Sequence, residues 1–149
     1  MENQQLIPAN LRWLRLPILA LCLIAFLLVF IYQRHLLGWL QSAFNPGSHW
    51  PFILSRSFRL VANDLICVAV FVAVFNRAAE VKLATAIFLL ELTVLLPAYL
   101  IVKLQWEGTS EISSPLLSFF HRLIVNPLLM LMLLAGLMVQ RFQQNKTLF

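Results

Sequence analysis

Several side chains that could do chemistry lie inside stretches that are otherwise apolar. Glu91 could act as a proton-relay acid, and His121 could serve as a proton carrier or general base. Cys67 with His121 and an arginine would supply the residue types of a thiol transpeptidase, in which a thiolate attacks and a cation stabilises the oxyanion. What these groups can do depends on the elements that position them.

Those elements are predicted to be membrane-spanning helices. The chain has 149 residues, of which 61% are hydrophobic and 11% are charged, whereas a soluble domain has roughly 25% charged residues. Four stretches are apolar over the ~17 to 25 residues that a helix needs to cross ~30 Å of hydrocarbon. We therefore predict an all-α integral membrane protein, a single bundle of four transmembrane helices at about residues 16–32, 58–75, 83–102 and 116–139.

The connections carry their own signals. The segment Leu36 to Phe44 has apolar residues at helical spacing around Trp39, which predicts a short interfacial helix after the first span. Residues 45–48 (NPGS) then predict a turn. The run 16–32 is long and has no clear cleavage site after it, which favours a retained helix over a signal peptide. Pro97 predicts a kink in the third span.

Basic residues indicate the orientation. They form no stripe interleaved with aromatic residues, so we predict contacts with lipid headgroups and no binding of nucleic acid. With both termini inside, the last outer loop has a single basic residue, Lys103. The first outer loop fits this orientation less well, because Arg34, Arg56 and Arg59 lie on or near it. The Lys and Arg count places both termini in the cytoplasm, with six basic residues on that side: Arg12, Arg15, Arg77, Lys82, Arg141 and Lys146.

Charged groups within the spans are expected to face one another. An unpaired charge at the bilayer centre costs roughly 2.5 to 3.5 kcal/mol. The second and fourth spans run in the same direction, so residues equally far from their starts lie at equal depth. This predicts an ion pair between Asp64 and Arg122.

Helical spacing predicts a polar cleft between these two spans. Residues three and four apart share a helix face, and two such stripes, if they meet, form a cleft open to the outer surface with Glu91 below it. An alternative role for these groups is structural, as hydrogen bonds that hold the helices together. The two stripes are Arg56, Arg59, Asn63 and Cys67 on the second span, and Ser118, Arg122 and Asn126 on the fourth.

No catalytic constellation passes the spacing test. Cys67 lies ~13 Å below the start of its span and His121 only ~7 Å below its own, which separates the thiol from the imidazole. Cys22 and Cys67 have neither metal-site nor disulfide spacing, and no phosphate loop or metal-ligand motif is present. We predict no catalytic residue, no metal and no cofactor.

Two segments resemble the exosortase F system-associated membrane proteins of Bacteroidota: SRSFRLVANDL at 55–65 and SPLLSFFHRLIVNPLLMLML at 114–133. Members of that family are multi-pass proteins encoded beside an exosortase, a membrane transpeptidase thought to process sorting signals of exported proteins. The resemblance implies an accessory role in the bacterial inner membrane. The residues that match its pattern are Arg59, Asn63, Asp64, Ser114, Pro115, His121, Arg122, Asn126 and Pro127.

The leading hypothesis is therefore a non-enzymatic accessory protein. Its outer polar cleft would contact a partner membrane protein such as an exosortase, or a sorting-signal helix. One alternative is a small transporter or proton-coupled channel that uses Glu91 and His121. A further alternative is a membrane-embedded thiol transpeptidase that uses Cys67.

Overall fold

A computed structural model describes residues 13–43, 49–109 and 114–146, and these are helical apart from short turns. A π-helical turn, Glu91–Leu95, joins the third helix to the fourth without a gap. The all-α class predicted from the sequence is therefore confirmed. The helices are α1 (Arg15–Ala43), α2 (Trp50–Phe75), α3 (Ala78–Leu90), α4 (Leu96–Trp106), α5 (Pro115–Ile124) and α6 (Leu128–Lys146).

Three helical stretches of the described chain are long and apolar enough to cross a membrane. They are 15–32 within α1, all of α2, and the continuous run 78–106 through α3, the π turn and α4. Helices α5 and α6 pass the same test only together, and they are bent by 59° relative to each other. The described part of the chain therefore has three membrane-spanning candidates, or four if the bent pair is one broken span.

The first helix is longer than the sequence predicts. Residues 36–43 continue α1 without a break, so a separate interfacial helix does not form there. No proline interrupts this stretch, and the single Gly38 costs a helix only about 1 kcal/mol. The predicted turn at 45–48 lies outside the described residues. Large apolar side chains on α1, such as Leu16, Leu23 and Phe30, are exposed, as expected of a helix that faces lipid.

Helices α2 and α3 form a tight antiparallel pair. Asn76 ends α2 in the left-handed conformation with φ 53°, and its N–H donates to the carbonyl of Val72. Asparagine tolerates this conformation better than most residues. Helix α3 begins two residues later at Ala78.

Pro97 is accommodated by the π turn. Proline lacks an N–H, and its ring collides with the carbonyl four residues earlier in a regular helix. Here the Leu96 N–H donates to the carbonyl of Glu91, five residues back. This widened turn lies just before Pro97 and gives its ring room. Glu91 is the first residue of this widened turn.

A second proline breaks the last span. The chain leaves helical geometry between Ile124 and Leu128, and Pro127 explains the break because it cannot supply the helical hydrogen bond. The Leu128 N–H donates instead to the carbonyl of Asn126 at 2.6 Å. The sequence predicted a continuous helix over 116–139. The break changes which faces of α5 and α6 meet the rest of the bundle.

The buried core has two apolar clusters. One is centred on Leu60, Leu96 and Val125, and the other on Phe71, Ala84 and Met130. Phe88 packs against both. On α2, Asp64 lies between Leu60 of the first cluster and Cys67 of the second, so a carboxyl group separates the two halves of the core.

Candidate functional site

Polar side chains of α2 meet the break in the last span. The Arg59 guanidinium donates to the Asn126 side-chain oxygen at 3.2 Å, and the Asn63 amide donates to the Val125 carbonyl at 3.2 Å. Carbonyls beyond a helix end lack an intrahelical partner, so the Asn63 amide satisfies one that the break exposes. The structure thus brings together Arg59, Asn63 and Asn126, three of the residues that the polar stripes predicted to meet.

His121 is held by a residue that the sequence did not single out. The Tyr99 hydroxyl and His121 Nδ1 share a hydrogen bond of 3.1 Å, and the two ring centroids lie 5.7 Å apart. The bond joins α4 to α5. A lone tyrosine in an apolar span carries no periodic signal, because its ring suits the core as well as any aromatic residue.

Lys103 and Glu107 form a polar connection at the end of α4. Lys103 is 1% exposed, and its ammonium pairs with Glu107 Oε2. The other oxygen, Oε1, accepts a hydrogen bond of 2.7 Å from the Ser114 N–H at the start of α5. Gly108, with φ 66°, lets the backbone reverse directly after Glu107. One carboxylate therefore ties the end of α4 to the beginning of α5.

This connection should weaken in strong acid. The Lys103 ammonium, followed by the Ser114 N–H, lowers the pKa of Glu107 from 4.5 to about 2. A lowered pKa means that the stabilisation is complete above the ordinary value and is lost as the pH falls towards 2. We expect hydrogen exchange of the Ser114 amide, corrected for the intrinsic rate, to quicken between pH 4.5 and 2. In a Glu107→Gln variant this acid-induced change should disappear, and its persistence would contradict the assignment.

The surroundings of His121 are strongly basic. We call this part of the protein, where α2 begins, α4 ends and α5 begins, the basic end. At this end of the described chain, the carboxylate of Glu107 is already paired with Lys103. The basic end carries four cationic side chains whose charges act on the His121 ring: Arg56, Arg59, Lys103 and Arg122.

The predicted ion pair between Asp64 and Arg122 is wrong. Arg122 is exposed, whereas Asp64 is fully buried and neither of its oxygens receives an N–H or O–H hydrogen bond. The prediction compared depths along two straight helices. Because the last span bends after α5, Val125 and Asn126 turn towards α2 while Arg122 stays on the outside.

Asp64 instead faces Glu91. The two carboxyl groups are hydrogen-bonding neighbours of each other, and both side chains are fully buried. No N–H or O–H donor of the described residues reaches any of their four oxygens. We call Asp64 and Glu91 the carboxyl pair. Both acids stand out in the sequence, but their contact could not be predicted from it.

The structure does not unite Cys67 with His121. Cys67 is buried beside Phe71 and Met130, below the carboxyl pair, whereas His121 is bonded to Tyr99 at the basic end. Both cysteines are free thiols. In the described part of the chain no group of three or more His, Cys, Asp or Glu side chains is arranged to hold a metal ion.

The opposite end of the bundle is held by Arg141, which sequence analysis used only as an orientation signal. Its guanidinium donates to the Phe75 carbonyl at 3.2 Å and to Glu80 Oε1 at 3.0 Å, and it lies 4.5 Å above the Phe75 ring. These contacts join the end of α2, the start of α3 and α6. Arg77 approaches the same carboxylate more loosely, at 3.8 Å.

An apolar groove runs beside the basic end. It has a volume of about 230 Å³ and lies between α4 and α5, where Tyr99 forms part of its wall. The hydroxyl of Tyr99 is also the partner of His121, so the groove and the basic end share a residue. The remaining wall is apolar: Leu95, Ala98, Val102, Leu117, Phe120 and Ile124.

Comparison with known proteins adds no relative. No family model, no curated protein and no solved structure matches this chain.

Proposed function

We propose that the chain is a multi-pass accessory protein of the bacterial inner membrane that serves an exosortase-type protein sorting system without doing chemistry itself. In this proposal α5 and α6 form one broken fourth span, both termini lie in the cytoplasm, and the basic end faces outward. The partner is a membrane protein such as the exosortase, or the helix of a sorting signal. The site comprises Arg59, Asn63, His121, Arg122 and Asn126, with Asp64 and Glu91 beneath them.

The observation that carries the proposal is the excess of positive charge among the described residues of the basic end. Arg122 is exposed and makes no ion pair with any described residue. Arg59 bonds to a neutral amide, and the carboxylate of Glu107 is engaged with Lys103. A surface with surplus cations at a membrane boundary favours a partner that supplies acidic groups.

The apolar groove supports a helical partner in particular. A groove between α4 and α5 can receive the apolar side of a helix, while acidic residues just beyond that helix would meet the basic end. Membrane helices associate through packing and polar contacts because lipid is as apolar as they are. The groove and the charges therefore suit a transmembrane helix with acidic residues at its outer end.

Reversal of one exposed charge tests this proposal. We expect an Arg122→Glu variant to recover at least about tenfold less of the cell's exosortase in mild-detergent co-purification, because a charge repulsion of about 1.4 kcal/mol or more lowers affinity by that factor. The matched control is Arg77→Glu, since Arg77 is also exposed but lies at the opposite end. Equal recovery with both variants, at equal levels of the chain, would contradict the proposal.

A further inference from the structure

We propose that the carboxyl pair is a proton-binding site, in which Asp64 and Glu91 share a proton inside the bundle and exchange it with the surroundings. This site is separate from the basic end and does not depend on the partner proposed above.

The first step concerns the hydrogen bonding of the pair. An ionised carboxylate has acceptors only, so two ionised carboxylates cannot bond to each other. The carboxyl groups of Asp64 and Glu91 nevertheless lie in hydrogen-bonding contact, and no donor from the described residues reaches them. A proton on one of the two supplies the missing donor and gives a strong O–H···O bond.

The second step concerns charge. Both side chains are fully buried, and an isolated ionised group in an apolar interior is costly unless it is paired or becomes neutral. No ion pair with Lys, Arg or His among the described residues involves either acid. The titratable neighbour of the pair among the described residues is the thiol of Cys67 on α2, and Cys22 of α1 lies near that thiol. A shared proton therefore reduces the two negative charges of the pair to one, and a second proton makes the pair neutral.

The third step concerns whether the cation bound by the pair is a proton or a metal ion. Hard cations in proteins take about six or more oxygen ligands, whereas this site offers only the four oxygens of two carboxyl groups. Leu60 and Cys67, about one turn to either side of Asp64 on α2, belong to the apolar clusters. A proton needs only the two carboxyl groups, whereas a dehydrated hard cation would need more oxygen ligands than they supply.

The position of Glu91 suits a carboxyl group that releases and rebinds its proton. Glu91 opens the π turn, and single π turns within helices occur frequently at functional sites. Asp64 follows Asn63, whose amide reaches the break in the last span. Movement at the π turn, or at the break between α5 and α6, would change the distance between the two carboxyl groups and thus their affinity for the proton.

Labelling with a membrane-permeant carbodiimide, which reacts with protonated carboxyl groups, tests the site in the full-length protein. At neutral pH we expect mass spectrometry to find the adduct on Asp64 or Glu91, and not on Glu80 or Glu107, which are ion-paired. Above the pH of proton release, labelling should fall about tenfold per pH unit. Absence of the adduct from acid to neutral pH would overturn the proposal. Protection by sodium chloride but not choline chloride would also overturn it, in favour of a metal ion.

Two variants test whether the proton is shared. In Glu91→Gln the second acid is gone and the new amide can donate to Asp64, so the pH above which labelling of Asp64 falls should be lower than in the natural chain; the matched control, Glu107→Gln, should leave it unchanged. An unchanged pH dependence of Asp64 labelling in Glu91→Gln would overturn the sharing. If that variant fails to fold, infrared spectra of the natural chain decide. A protonated-carboxyl band that vanishes as the pH rises supports the site, and the lack of such a band at neutral pH overturns it.

Discussion

A chain with both Asp64→Leu and Glu91→Leu is expected to be more stable than the natural chain by roughly 1–4 kcal/mol, the gain seen when buried ionic groups give way to apolar side chains. Each single replacement should instead cost about 1–3 kcal/mol, because it leaves the other acid buried without a partner. The pair lies between two apolar clusters, so leucine suits either position. Unfolding of the purified proteins in mixed micelles, followed by helical circular dichroism, measures all three changes.

The strong non-additivity is the informative part of this result. Residues in contact commonly show interaction energies of about 0.5–3 kcal/mol in a double-mutant cycle. A double variant that is stable, inserted and yet no longer labelled by carbodiimide would show that the pair is kept for proton binding at the expense of stability. A double variant less stable than either single variant would mean that the pair holds the helices together.

The Arg141→Ala variant is expected to lose about 1.5–3 kcal/mol of stability, the range for hydrogen bonds to charged groups. Arg141 bonds to the Phe75 carbonyl and to Glu80, and its guanidinium stacks on the Phe75 ring. The loss should lie at the lower end of this range because the Arg141 side chain is 31% exposed. Denaturation in mixed micelles measures the change.

Arg77→Ala is the matched control for Arg141. Arg77 approaches the same carboxylate at 3.8 Å, and its side chain is 47% exposed, so its removal should change stability by only about 0–1 kcal/mol. Arg141→Lys should recover part of the loss at most, since an ammonium cannot stack and donate in the planar geometry of a guanidinium. Equal losses for Arg141→Ala and Arg77→Ala would refute this account.

The helical class and the membrane-spanning stretches could be predicted because they follow from apolar length alone. A meeting of the two polar stripes, now seen in the contact between Arg59 and Asn126, could also be predicted, since charged and amide side chains within a span must find partners, although the sequence did not pair these two residues. Both inferences depend on local composition and spacing, and neither requires knowledge of how the helices bend.

The partner of Asp64 could not be predicted because it depends on two departures from ideal helices. Pro127 breaks the last span and leaves Arg122 outside, and the π turn before Pro97 sets where Glu91 lies. Counting residues along straight helices misses both effects. Tyr99 and Arg141 were missed for another reason, since their partners come from helices distant in sequence and no spacing rule connects them.

In the proposed broken fourth span, the 59° bend between α5 and α6 would also set how that span fits a bilayer. A straight helix over 116–139 would be ~36 Å long, which exceeds the ~30 Å of hydrocarbon that it has to cross. With α6 along the membrane normal, the bend shortens the span by roughly 7 Å, because the ten residues of α5 lean away from that direction. As part of such a span, Pro127 would remove a hydrophobic mismatch that a straight helix would relieve by tilting or by thickening the lipid around it.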